Sequence, residues 1–198
     1  MSEKKILDKF TAAGAVLKGH FKLSSGLHSD TYIQCSKIAQ NAALNNELCS
    51  ILSERILQKI GDKKIDLVIS PAMGGVLVGY ELSRILGVNN VFCERVNGEF
   101  QLRRGFEIPK NSNILIVEDV ITTGKSSLEV LDLIASYDVN ILAEASLIDR
   151  CDDDIEKKLA IPVISLLKIE AATFSANNIP ENLKNIEAIK PGSRFISS

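Results

Sequence analysis

The chain has 198 residues, of which 45% are hydrophobic and 24% charged, with a formal net charge of −2. That size and balance suit one α/β domain with a full core, and so small a charge supplies no basic field for nucleic acid or for an anionic membrane surface. No apolar run reaches the roughly 18 residues of a membrane span, Met1-Ser-Glu-Lys-Lys-Ile6 lacks the apolar heart of a signal peptide, and Cys35, Cys49, Cys93 and Cys151 show no CxxC spacing. The expectation is a cytoplasmic protein with reduced, packing thiols.

Residues 3–18 mix charged and apolar residues at helical spacing, with Ile6, Leu7, Phe10 and Ala13 on one side. Alternation at Phe21, Leu23, Tyr32 and Ile33 predicts a hairpin turning at Ser25-Gly26. His20 and His28 flank it with no metal-ligand cluster around them, which disfavours a zinc or haem enzyme. Residues 41–60 carry Leu44, Leu48, Ile51, Leu52, Ile56 and Ile60 at helical spacing, closed by Gly61. Asp66–Ser70 reads as a buried strand. Pro71-Ala-Met-Gly-Gly75 then turns into a helix from about Val76 to Leu86, with glycines that let a ligand approach the backbone. Val91–Cys93 is the next strand, and Asn97-Gly98 is a strong turn signal between Arg95 on one side and Arg103-Arg104 on the other. Read plainly this is an exposed hairpin; read functionally it is a mobile cover carrying cations to a polyanion.

The most informative stretch is 113–127. Ile114–Val117 is a β-branched-rich apolar run of the kind buried on both faces of a parallel sheet. Glu118 and Asp119 arrive where that strand should emerge. Thr122-Thr123-Gly124-Lys125-Ser126 follows, rich in hydroxyls and backbone donors, and then a helix with Leu128, Leu131, Ile134 and Ala135 on one face. A donor-rich turn at a helix N-terminus beyond a strand's carboxyl end makes an anion site. It is not a Walker A loop, because Asp119 stands where that motif requires glycine. Asn140–Ile148 is a further strand ending at Asp149-Arg150, and an arginine there suits bidentate recognition of a planar carboxylate. Ile161–Ile169 is the last strand, and the tail through Lys190-Pro-Gly-Ser-Arg194 reads as a cap.

The pattern at 114–126, an apolar strand, two acids, two variable residues, then Thr-Thr-Gly-x-Ser, closely resembles the ribose-phosphate motif of type I phosphoribosyltransferases. Phe-x-Leu-x-Ser-Gly from Phe21 and Leu-Ile-Asp-Arg at 147–150 resemble the orotate-using branch of that family. The resemblance spans nearly the whole chain. It implies an open parallel-sheet type I phosphoribosyltransferase core in a single domain, 1–198, with residues of about 1–40 and 170–198 forming a small cap or hood. It also implies transfer of ribose 5-phosphate from phosphoribosyl pyrophosphate to N1 of orotate, with Mg²⁺ but no metal-ligand set in the protein, in pyrimidine biosynthesis.

By the same resemblance Glu118 and Asp119 hold the ribose hydroxyls, and Val120, Ile121, Thr122, Thr123, Gly124, Lys125 and Ser126 form the phosphate cradle. The Lys125 ammonium, where close relatives commonly have glycine, would favour the phosphate. Arg95, Arg103 and Arg104 meet the diphosphate from a loop, 95–104, that crosses to the partner of a homodimer. Thr122, Arg150, Ser25 and Gly26 meet orotate, and the 71–75 turn meets the pyrophosphate. Ser24 and Met73-Gly74 stand where some relatives carry lysine, so cations are missing there. Two other readings stay open: a purine phosphoribosyltransferase, and a regulator that senses phosphoribosyl pyrophosphate while binding nucleic acid, against which the charge of −2 argues mildly.

Overall fold

Strand β6 (Ser112–Ile121) is the middle of the molecule. In the computed structural model, which describes residues 1–23, 26–151 and 154–191, β6 lies between β3 (Leu67–Pro71) and β7 (Val139–Asp149). The sheet continues to β4 (Asn89–Val96) and β5 (Glu99–Leu102) on one side and to β8 (Val163–Lys168) on the other, in the order β5-β4-β3-β6-β7-β8. All neighbours pair in parallel except the β4–β5 hairpin. Such a sheet must be covered on both faces, which is why Ile114, Leu115, Ile116 and Val117 are all inaccessible to solvent.

Alternation along β6 sorts those residues. Leu115 and Val117 join a core with α3 (Ala42–Ile60) and α4 (Gly74–Leu86), through Leu48, Leu52, Ile56, Val78 and Leu82. Ile114 and Ile116 pack on the other face against Val130 and Ile134 of α5 (Lys125–Ile134). The long α3 is started by Asn41, whose side chain accepts from the Leu44 N–H at 3.1 Å.

A second, three-stranded antiparallel sheet forms the hood: β1 (Val16–Lys22), β2 (His28–Ile33) and β9 (Thr173–Phe174). The hairpin follows the predicted pattern, with Gly26 at its tip; Ser24 and Ser25 lie outside the described residues. Residue Ile189 closes the hood against β1, donating its N–H to His20 O at 2.9 Å and accepting from Lys22 N–H at 2.8 Å. Within it His20 Nδ1 meets Ile186 O at 2.7 Å, and His20 Nε2 meets His28 Nδ1 at 2.6 Å. A carbonyl only accepts, so His20 Nδ1 carries a proton and donates it to Ile186 O. The two histidines are structural partners of the hood.

Four boundaries differ from the sequence expectation. The first helix, α1 (Glu3–Ala12), stops short of residue 18 because Val16–Lys22 is taken by pairing with β2, Val16 opposite Ile33. Helix α4 begins at Gly74, inside the expected turn. Strand β6 does not end at Val117: it runs to Ile121, because β7 offers partners as far as Asp149. The expected last strand is trimmed to Val163–Lys168. Three short helices complete the chain: α2 (Ser36–Ala39), α6 (Ile155–Leu159) and α7 (Glu181–Lys184). Arg194 lies outside the described residues.

Candidate functional site

From β3 the chain moves to β4 on one side and then to β6 on the other, so the strand order reverses between β3 and β6. Crevices outside the carboxyl ends of strands at such a reversal are where open α/β sheets bind ligands. The carboxyl ends here are Pro71 and Ile121. Glu118 and Asp119 lie within a paired strand that ends two residues later, with Glu118 opposite Ser146.

The side chains of the two acids interact with one another at this strand end. Asp119 lies over the β3–α4 turn, where a Cβ added at Gly74 would stand 2.3 Å from its Oδ1. No side chain fits at Gly74 without moving the acid, which explains a glycine there better than any turn requirement does. Glu118 is buried, and its Oε1 accepts from the Asp119 N–H at 3.2 Å. Burial pushes the Glu118 carboxyl well above the usual range, and the neighbouring Asp119 charge pushes it further. Burial also raises Asp119, against hydrogen bonds that favour its charged form. A buried pair of carboxyls whose charges disfavour one another is an attractive place for a cation to arrive.

Beyond Ile121 the chain opens into Thr122-Thr123-Gly124, with Thr122, Thr123 and Lys125 exposed to solvent. Gly124 takes φ +71° immediately before α5, a left-handed conformation that aims the turn at the helix N-terminus. The first N–H groups of a helix have no intrahelical partner, so this turn presents donors outward to an anion. Val120 and Ile121 belong to the strand rather than to the turn: Ile121 is 1% exposed and packs with Cys151, Ile155 and Leu159. The Lys125 ammonium lies 3.8 Å from Glu129 with its side chain 79% exposed.

Arg150 begins where β7 ends. Its N–H donates to Ile121 O at 2.8 Å, and its Nη2 reaches Thr31 O of the hood at 3.4 Å. The sequence reading missed what stands between it and the acids. Tyr32 of β2 is half-buried there; burial and the Asp119 charge raise its phenol, and Arg150 opposes them. Cys35 is another, its Sγ directed at Asp119 O at 3.8 Å and its thiol pushed well up by burial and by Asp119. Period-2 alternation put Tyr32 on a strand, but only the hood's docking brings it to the acids.

The cationic hairpin is present as expected, turning at Asn97-Gly98. Its arginines are engaged locally. Arg95 pairs with Glu129, donates to Gly98 O at 2.8 Å and stacks over Phe100 at 4.1 Å. Arg103 and Arg104 both lie on Glu94, at 3.5 and 3.0 Å. The structure thus gathers Glu118, Asp119, the 122–126 turn and Arg150, and holds the three loop arginines on neighbouring acids.

Below the turn sits a carboxyl with no place in the sequence reading. Glu144 of β7 is inaccessible to solvent and accepts from Ser127 Oγ at 2.7 Å, while its Oε2 has no hydrogen-bond partner among the described residues. Burial lifts its carboxyl from 4.5 to about 7. The native state therefore keeps a proton that the unfolded chain releases between those two values, and stability falls as pH rises through that window. The cost is complete above about pH 7 and on the order of 3 kcal/mol. Glu144→Gln cannot ionise, so its melting temperature relative to the parent should be markedly higher at pH 8 than at pH 5. A difference independent of pH in thermal unfolding would mean that Glu144 ionises in the folded protein as readily as in the unfolded chain.

Comparison with known proteins adds four findings. The family described as "Phosphoribosyl transferase domain" matches residues 35–184. The chain is 42% identical to an orotate phosphoribosyltransferase of Bartonella henselae over 196 residues, covering 99% of this chain and 100% of that one. Among solved structures it resembles orotate phosphoribosyltransferase from Aeropyrum pernix, with a TM-score of 0.68, 23% identity and coverage of 83% and 93% of the two chains. It also resembles adenine phosphoribosyltransferase from Saccharomyces cerevisiae, with a TM-score of 0.63, 23% identity and coverage of 83% and 99%.

Proposed function

The chain belongs to the phosphoribosyltransferase family, and from that premise we propose the reaction in residue detail: it is an orotate phosphoribosyltransferase, acting in pyrimidine biosynthesis. The fold alone is shared with an enzyme whose name specifies adenine, so the base must be chosen by side chains. The observation that carries orotate is Arg150, a guanidinium held at the end of β7 beside Tyr32 and the acids. Orotate has a carboxylate for it to grip, and adenine has none.

N1 of orotate attacks the anomeric carbon of phosphoribosyl pyrophosphate as the bond to diphosphate breaks, and the electron pair leaves with the diphosphate. The N1 proton is readily lost to water, so no strong base is required. Positive charge grows on the ribose ring in passing. Glu118 and Asp119 lie where they can bind the ribose hydroxyls and stabilise that charge. The 122–126 turn cradles the 5′-phosphate. A divalent cation such as Mg²⁺ suits this site, since it is commonly held by one or two carboxylates together with substrate phosphates. No cluster of three or more metal-ligating side chains occurs among the described residues, so the substrate's own oxygens would complete its shell. When bound, Mg²⁺ supplies charge neutralisation for the departing diphosphate.

The test is direct. Absorbance of orotate should fall only when phosphoribosyl pyrophosphate and Mg²⁺ are both present; turnover of adenine or hypoxanthine at the same concentrations, without orotate turnover, would overturn the reading. No helix of the described residues is long and apolar enough to cross a membrane. The four cysteines are free and buried, which favours a reducing, cytoplasmic setting.

A homodimer with loop 95–104 reaching the neighbour's site is part of the proposal. It is supported by an apolar stripe of Met73, just before α4, and Leu77 and Tyr80 on it, which are 83%, 55% and 60% exposed beside the candidate site. Two inactive variants test it, Asp119→Asn with an intact loop and an Arg95, Arg103, Arg104 triple alanine with intact acids. Refolded together in equal amounts, about half the dimers should be mixed and about a quarter of all sites should regain activity. A loop acting within its own chain gives no recovery even with mixed dimers confirmed by mass.

A further inference from the structure

Helix α6 is seated on the phosphate turn. A Cβ placed at Gly124 would stand 2.6 Å from Ile155 Cδ1, 3.7 Å from Lys158 Cδ and 3.8 Å from Leu159 Cδ2. Ile155 and Leu159 fix the helix by packing on Ile121 and Cys151. Asp154 starts it, accepting from the Lys157 N–H at 3.2 Å. From this anchored position the Lys158 stem crosses Gly124, and its ammonium donates to the carbonyl of Thr123. It therefore sits at the rim of the turn that the enzyme uses for a phosphate.

An ammonium carries three donors, and Thr123 O takes one. No carboxylate among the described residues pairs with Lys158, whereas Lys125, the only lysine within the turn itself, is drawn toward Glu129. An ammonium on the Thr123 carbonyl also offsets the repulsion between that carbonyl's dipole and a nearby dianion. On the reading that the 122–126 turn holds the ribose 5-phosphate, we propose that Lys158 is a phosphate-binding residue of this enzyme. Its ammonium spans the Thr123 carbonyl and the bound phosphate, and supplies the positive charge that the turn's own lysine directs elsewhere.

One consequence is a division of labour along residues 150–158. The same excursion after β7 begins with the guanidinium for the base carboxylate and ends with the ammonium for the phosphate. Loss of Lys158 should therefore weaken the phosphate end of the substrate without touching the base.

Ribose 5-phosphate is the probe, because it carries the phosphate without the leaving group or the base. Its binding to the intact protein can be followed by calorimetry independently of turnover. Lys158→Met should weaken ribose 5-phosphate about tenfold, the scale of one charge-assisted hydrogen bond at a solvent-facing site. The Michaelis constant for phosphoribosyl pyrophosphate should rise by a similar factor, while that for orotate stays within about twofold. Lys158→Arg should recover most of the loss, and Lys157→Met should behave as the parent. Unchanged ribose 5-phosphate affinity in Lys158→Met overturns the proposal. So does an equal loss in Lys158→Arg, which would mark a packing role rather than a cation. A parent protein that binds ribose 5-phosphate through Lys158 yet fails to consume orotate would refute the orotate reading and leave this one standing.

Discussion

Asp119→Asn is expected to lower kcat by about 10²- to 10³-fold, the scale on which enzymes lose rate when one preorganised electrostatic group is removed. Both Michaelis constants should move by less than about threefold, because the charge matters most when the ribose ring is cationic. Burial raises Asp119 and Glu118. Each carboxylate is held at a cost that an arriving cation relieves, and the cation that arrives only in the transition state gains the most. Glu118→Gln should show the same signature to a lesser degree, since its oxygen is already engaged by the Asp119 N–H. Steady-state kinetics on both variants decide the matter. A raised Michaelis constant with turnover intact would mean that the acids only hold the ground-state sugar.

The second large effect is expected from Arg150→Ala, which should cost orotate recognition roughly 2–5 kcal/mol, the range for truncating one partner of a buried charge pair. The backbone N–H of residue 150 still reaches Ile121 O in the variant, so the end of β7 stays tied to β6 and the effect isolates the guanidinium. Affinity for phosphoribosyl pyrophosphate should stay within about twofold. Orotate kinetics within twofold of the parent would refute the assignment of Arg150 to the base.

What could be read from the sequence was what is local. The strand, acids, turn and helix of 113–127 form one continuous piece of chain, so spacing alone located them, and Arg150 was found because a strand end is a local feature too. The acids were nevertheless placed at the strand's exit, whereas pairing with β7 carries β6 through them to Ile121. Apolar content marks where a strand is buried, not where its hydrogen-bonding partner stops. The contacts of Tyr32, Gly74, Glu144 and Lys158 were not legible for a different reason. Each residue acquires its meaning from a contact across the fold, with Asp119, Ser127 or Thr123, and nothing in its own neighbours announces it. Lys125 shows the converse. Adjacent to the cradle in sequence, its ammonium is turned by α5 toward Glu129, one helical turn on.

The closure of the hood by Ile189 bears on how the protein is made. A ribosome delivers β1 and β2 early, but the residue that clamps them, through His20 O and Lys22 N–H, emerges only after every strand of the large sheet. The parallel sheet can assemble once Lys168 is available, whereas the hood needs a contact between residues 21 and 189. Contacts so distant along the chain are the slowest to form, since loop closure must precede any gain from them. The crevice between β3 and β6 therefore depends on nearer contacts along the chain than the closure of the hood does.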